Sequence, residues 1–189
     1  MFLLSWMRRG LRSAGCRERK KWIMSLQQAM KFTLAAEGKY TVDDGGPTMY
    51  GVTQSVYDAF RRSHGLPKQT VRYITMTEVA DIMQSQYWVP AHCEDMPDLL
   101  GIAVFDCAYN CGVAEAIKML QGCAGVVRDG VVGPLTIKAI DTADPVTLLH
   151  DYLEARRAFY HADKSQAEYL AGWINRVNEL QVYLGMIKQ

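Results

Sequence analysis

Apolar positions first fall into a helical rhythm at Leu26, Met30, Thr33 and Leu34, with Glu37 on the same stripe and Gly38 behind it as a stop. That pattern predicts a first helix from Leu26 that ends at Glu37. From Lys39 to Thr53 the residues change to Asp, Gly, Pro, Thr and Tyr, a composition that suits turns and a short hairpin. Thr53 can cap a helix running to about His64, closed by Gly65 and Pro67, and Thr75 with Glu78 forms a capping box for a helix ending before Pro90. Two more helices are expected at Leu99–Cys111, stopped by Gly112, and at Val113–Cys123. Pro134 and Pro145 stand where a helix's first turn tolerates proline, which places helices to about Ile140 and about Asp163, before a last one from about Ser165 to Ile187. The expected fold is mainly α, with a small loop and β-hairpin region near residues 39–53.

No segment repeats and none is low in complexity, so a chain of 189 residues reads as one domain. Hydrophobic residues at 49% and charged residues at 22% are ordinary globular usage. The net charge of +1 is unevenly placed: residues 1–23 hold seven basic side chains against Glu18, about +6, which leaves about −5 for everything after. An acidic body without basic clusters among aromatics argues against nucleic acid as the ligand. Residues 1–23 read as a basic amphipathic arm that could touch a membrane surface, a virion or another partner, or as an extension upstream of a domain spanning 24–189. Their apolar stretch precedes the basic residues and is too short for a signal peptide's core, so no export signal is read.

The five cysteines, Cys16, Cys93, Cys107, Cys111 and Cys123, lack CxxC spacing and read as small apolar side chains. His92 and Cys93 with Cys107 and Cys111 are a weak alternative as zinc ligands, and no metal or cofactor is expected.

Candidate chemistry gathers between Glu37 and Thr53. Glycoside cleavage needs one carboxylic acid kept protonated for the leaving oxygen, and a second polar group that holds water or steadies positive charge. Glu37 suits the first role, because the negative end of the helix dipole and partial burial on the helix's apolar face both disfavour its ionised form. Asp43 and Asp44 follow in a loop rich in amides, where a carboxylate stays ionised, and Thr48 could orient a water. Either aspartate fits. On the Leu99–Cys111 helix, Leu99, Ile102, Ala103, Asp106 and Asn110 share a face, so two polar groups lie in an apolar stripe and must either be bonded in a core or line a cleft. Tyr40, Tyr50, Tyr87, Trp88 and Tyr109 could stack on sugar rings, with Tyr50 and Tyr87 preferred. Trp173, Tyr169 and Tyr183 read as packing on the last helix.

The order Glu37-Gly38-x-Tyr40, Asp43, then Gly45-Gly46-x-Thr48-x-Tyr50-Gly51-Val52-Thr53 resembles the signature of the glycoside hydrolase family 108 muramidases of phages and bacteria. Lys39 stands where that family usually has a second glycine, and the stretch from Tyr40 to Gly45 is about three residues shorter than usual. A second block is similar to that family's downstream peptidoglycan-binding region, taken as about 90–189: Tyr87-Trp88, Phe105-Asp106-x-Ala108-x-Asn110-x-Gly112, Leu120-Gln121 and Asp129-Gly130-x-x-Gly133-Pro134-x-Thr136. The resemblance implies a lysozyme-like helical fold, no metal, peptidoglycan as the partner, and cleavage between N-acetylmuramic acid and N-acetylglucosamine with Glu37 as catalytic residue. It also implies a free endolysin or a virion-associated lysin. The candidate site is therefore Glu37, Asp43, Asp44 and Thr48 for catalysis and Tyr50, Tyr87, Asp106 and Asn110 for substrate. Two rivals are a non-catalytic peptidoglycan-binding or virion structural protein, and a lytic transglycosylase using the same glutamate.

Overall fold

A computed structural model describes residues 16–37, 40–43, 46–163 and 167–186, with side chains from residue 23 onward apart from that of Asp43. Eight α-helices and one small antiparallel sheet make up these residues: α1 Cys16–Ala36, α2 Gln54–Ser63, α3 Met76–Met83, α4 Asp98–Cys111, α5 Val113–Cys123, α6 Pro134–Thr142, α7 Pro145–Ala162 and α8 Leu170–Tyr183. Strands β1 Thr41–Asp43, β2 Gly46–Met49 and β3 Val52–Thr53 pair in the order β1-β2-β3. The mainly α fold with a hairpin at the predicted place is what the residue pattern implied.

Several boundaries follow the predicted chemistry closely. The Thr53 side chain caps α2 by accepting from the Val56 amide. Thr75 and Glu78 form the reciprocal box that starts α3, two orphan amide donors being satisfied at once. Gly112 ends α4, and Asp144 caps α7 ahead of Pro145.

Three boundaries differ. Helix α1 starts at Cys16 rather than Leu26, because Arg17 to Lys21 are strong helix formers although they carry no apolar periodicity. The helix after Thr75 gives way at Gln84–Trp88 to a π-helical turn ahead of Pro90. The last helix is shorter than expected, preceded by a 3-10 turn at Ala167–Tyr169 and closed before Gly185, which has φ +72°. The proposed arm lies mostly outside the described residues, in residues 1–15 and the side chains up to residue 22.

One apolar cluster runs from Leu26 to Leu184, drawing on helices from both ends of the chain. Helix α4 is its axis. Every residue from Leu100 to Ala108 is buried, including Asp106, while Leu99 is exposed. The expected single stripe on α4 is thus replaced by burial all round, as befits a helix packed against α1, α5 and α7. Among the described residues no helix is long and apolar enough to cross a membrane.

Candidate active site

Glu37 sits directly beyond the last residue of α1, its amide donating to the Thr33 carbonyl at 3.1 Å. The hairpin that follows folds back over it. Thr41, Val42 and Asp43 face Thr48, Pro47 and Gly46 across the first strand pair, while Thr48 and Met49 face Thr53 and Val52 across the second. Only Tyr50 and Gly51 join β2 to β3, at φ +54° and +79°, the positive values that a tight two-residue hairpin turn of this twist demands. A Cβ on Gly51 would lie 2.9 Å from Glu37 Oε2 and 2.7 Å from the Tyr109 ring. Glycine therefore permits both the turn and the approach to the carboxyl group.

Aromatic side chains complete this side. The Tyr109 hydroxyl donates to the Tyr50 carbonyl at 2.8 Å, and its ring lies 4.7 Å from that of Tyr87. Burial raises the Tyr87 and Tyr109 hydroxyls above the usual tyrosine range, and the nearby Glu37 charge adds to the rise in both. Trp88 is 1% exposed and belongs to the core, not to a surface where sugar could stack. Trp173 stacks on Tyr160 and Tyr183 packs near Phe32, whereas Tyr169 is largely exposed.

On the other side of Glu37 stands a cation that the sequence reading missed. Arg176 of α8 donates through Nη1 to Glu37 Oε1 at 2.8 Å, the two side chains being 11% and 18% exposed. The same guanidinium reaches Asp106 Oδ1 through Nη2 at 2.8 Å. Asp106 also accepts from Arg156 Nη1 at 2.8 Å and from the Thr33 hydroxyl at 2.9 Å. Arg156 continues through Nε to the Tyr160 hydroxyl at 2.9 Å, which in turn donates to Asn110 Oδ1. Burial alone would raise Asp106, but the two guanidiniums outweigh it and hold the carboxyl below its ordinary value.

Arg176 thus stands beside the Glu37 carboxyl at the end of α1, the helix end that attracts cations. Asp106 is corrected as a substrate contact: with no exposed surface it acts from behind, as the anion that fixes Arg176. Asn110 is exposed and tied to the same chain of bonds through Tyr160. Thr48 is half-buried on β2, its hydroxyl turned to the Gly46 carbonyl at 3.5 Å. Asp43 is placed by its backbone alone, and Asp44 lies outside the described residues.

A signal for Arg156 was present in the sequence. It falls on the apolar stripe Leu149, Tyr152, Leu153, Tyr160 of α7, and a cation there must meet a buried anion. Cys93 and Cys107 are buried and Cys111 and Cys123 half-buried, all as free thiols. His92 bonds instead to Asp95, and among the described residues no cluster of three or more His, Cys, Asp or Glu could hold a metal.

A helical domain whose first helix delivers a carboxylate against a small three-stranded hairpin is a lysozyme-like fold. The family model described as Glycosyl hydrolase 108 matches residues 30–112, and a second model described as a Predicted Peptidoglycan domain matches residues 115–178. The chain is also similar to the solved structure of Brucella abortus SagA, at 27% identity and a TM-score of 0.75, covering 88% of this chain and 97% of that one. No curated protein matches the chain. It is accordingly a glycoside hydrolase, with peptidoglycan as its substrate. The Glu37–Arg176 pair joins the two matched regions, so the second contributes a side chain to the first.

Proposed function

We propose that this enzyme is an N-acetylmuramidase that hydrolyses the bond between N-acetylmuramic acid and N-acetylglucosamine, with Glu37 as the acid that protonates the leaving oxygen. The observation that carries it is the seating of Glu37: one oxygen anchored by Arg176, the other turned to the Gly51 backbone of the hairpin. Oε2 is then the atom that carries the proton, and Arg176 holds the carboxyl group in place through Oε1. Asp106 and Glu37 face Arg156 and Arg176, and a sugar in the site displaces water from around the proton transfer.

Asp43 or Asp44, with Thr48, supplies the second polar group on the hairpin, holding water or steadying the oxocarbenium-like charge. The exposed edges of Tyr50 and Tyr87 and the side chain of Asn110 contact the glycan, and Asp106 acts through Arg176. The positive charge of residues 1–23, the last eight of which lie in α1, suits contact with a virion or membrane surface ahead of a catalytic unit at 24–189. Deployment by a phage, free or carried in the particle, belongs to the same reading and is supported by the motif's likeness to phage muramidases.

Mass spectrometry of the fragments released from purified peptidoglycan tests the bond and the reaction together. Fragments that have gained water and end in reducing N-acetylmuramic acid are expected. Anhydro ends would assign a transglycosylase, and reducing N-acetylglucosamine ends would assign the other glycosidic bond. Purified virions probed for the chain test its deployment.

A further inference from the structure

Cys107 and Cys111 lie four residues apart at the end of α4, with their sulfurs 3.6 Å from each other. Cys107 is wholly buried, while Cys111 is partly open to solvent and also lies 3.6 Å from the Tyr160 hydroxyl. These are unequal thiols in one nest. The hydrogen bond from Cys107 lowers Cys111 below the ordinary thiol range, aided by the charge of Arg156 and the Tyr160 hydroxyl, although burial opposes it. The same bond and burial raise Cys107. Such a division gives one sulfur that attacks and one that resolves.

We propose that Cys107 and Cys111 are a reversible thiol–disulfide site, closed by hydrogen peroxide, and that closure switches off the neighbouring hydrolytic centre. The Cys111 thiolate attacks one peroxide oxygen: an S–O bond forms, the O–O bond breaks, and the departing hydroxide takes a proton to become water. Cys107 then attacks the Cys111 sulfur, forming the S–S bond, while the S–O bond breaks and that hydroxide leaves with the Cys107 proton as a second water. Two thiols are oxidised and one peroxide is reduced to two waters. Peptidoglycan lies outside the reducing cytoplasm, so an enzyme acting on it meets surroundings in which such a bond persists.

The effect on activity follows from helix geometry, and that half of the proposal rests on the reading of Glu37 as catalytic. Residues four apart on a helix have Cβ atoms about 5–6 Å apart, whereas a disulfide needs about 3.5–4.5 Å and brings the sulfurs to about 2 Å. The difference must come from the backbone. It is available there because Cys111 is the last residue of α4 and Gly112 breaks the helix at φ +88°. Between the two cysteines stand Tyr109, which holds the Tyr50 carbonyl beside Glu37, and Asn110, which accepts from Tyr160. Tightening that turn drags both, and displacements of about 1 Å near a reacting centre cost up to about a hundredfold in rate.

The test treats the purified full chain with hydrogen peroxide, then with dithiothreitol, following peptides by mass spectrometry and activity by reducing-end release. The peptide carrying both cysteines should lose two hydrogens and resist alkylation, with activity falling about tenfold or more, and dithiothreitol should restore both. Cys107→Ser and Cys111→Ser, each checked for native circular dichroism, should keep their activity through the peroxide step. Should either variant fold poorly, Cys107→Ala or Cys111→Ala replaces it. Both thiols remaining alkylatable, or oxidation stopping at an irreversible sulfinic acid, would overturn the site whatever Glu37 does. A disulfide that forms without loss of activity would overturn the switch and leave the catalytic reading untouched.

Discussion

Asp106→Asn removes the single anion on which both buried arginines converge, while keeping the side chain's shape. Both carboxylate oxygens face donors: Oδ1 receives Thr33 and Arg176, and Oδ2 receives Arg156 and, at 3.2 Å, Arg176 Nε. An asparagine can offer an acceptor to only one side, and its amide then points a donor at a donor. Loss of one partner from a buried ion pair costs about 3–5 kcal/mol. The Arg156 side chain has no exposed surface, and its Nη2 already lacks a partner among the described residues, so no nearby group takes up the freed charge. Arg176 is better placed, since it retains Glu37. Each kcal/mol moves Tm by about 2–4 °C in a chain of this size, so Tm should drop by roughly 6–20 °C. Thermal and urea unfolding followed by circular dichroism measure this, with the urea m-value unchanged if the cause is stability rather than compactness. A variant within about 0.5 kcal/mol of the parent, the range of an ordinary surface substitution, would refute the reasoning.

Arg176→Gln removes the cation that anchors Glu37 Oε1 and should lower kcat about tenfold or more, whereas Arg176→Lys, which keeps a charged donor, should lose less; a kcat unmoved by both would separate Arg176 from the acid. Gly51→Ala combines a positive φ with a Cβ 2.7 Å from the Tyr109 ring and should lower activity about tenfold or more with a loss of about 1–3 kcal/mol. Gly65→Ala, at φ +67° with nothing within 4 Å, should cost stability alone, and equal activities would remove Gly51 from the site. Burial lifts Glu94 from 4.5 to about 7, and its Oε2 is buried without a hydrogen-bond partner among the described residues. The folded state therefore holds this proton more tightly than the unfolded chain, so its stability contribution is full below about pH 4.5 and is lost as pH rises through about 7, at most about 3 kcal/mol. Urea unfolding at about pH 5 and about pH 8 should show that loss in the parent and a flatter dependence in Glu94→Gln.

Local signals in the sequence were read well wherever a few neighbouring residues decide the structure. Thr53, the Thr75–Glu78 box, Gly112 and the two prolines marked helix ends because capping is settled within one turn. Glu37 and the hairpin were legible for the same reason, and through the Gly45–Thr53 motif. Arg176 was not, because its partner Glu37 lies 139 residues away and no local pattern couples them. Asp106 was read as polar in an apolar stripe, but only packing from α1, α7 and α8 shows that it is enclosed by Thr33, Arg156 and Arg176. The start of α1 was misplaced because the Arg17–Lys21 stretch is helical by propensity without an apolar face.

The central claim is that the Glu37 carboxyl group delivers the proton, and Glu37→Gln tests it most directly because glutamine keeps the length and one hydrogen-bond acceptor for Arg176. Reducing ends released from purified peptidoglycan, measured beside a circular dichroism melt, should fall by at least about a thousandfold with native structure retained. A folded Glu37→Gln enzyme that still cleaves the glycan at the parent rate would contradict the account.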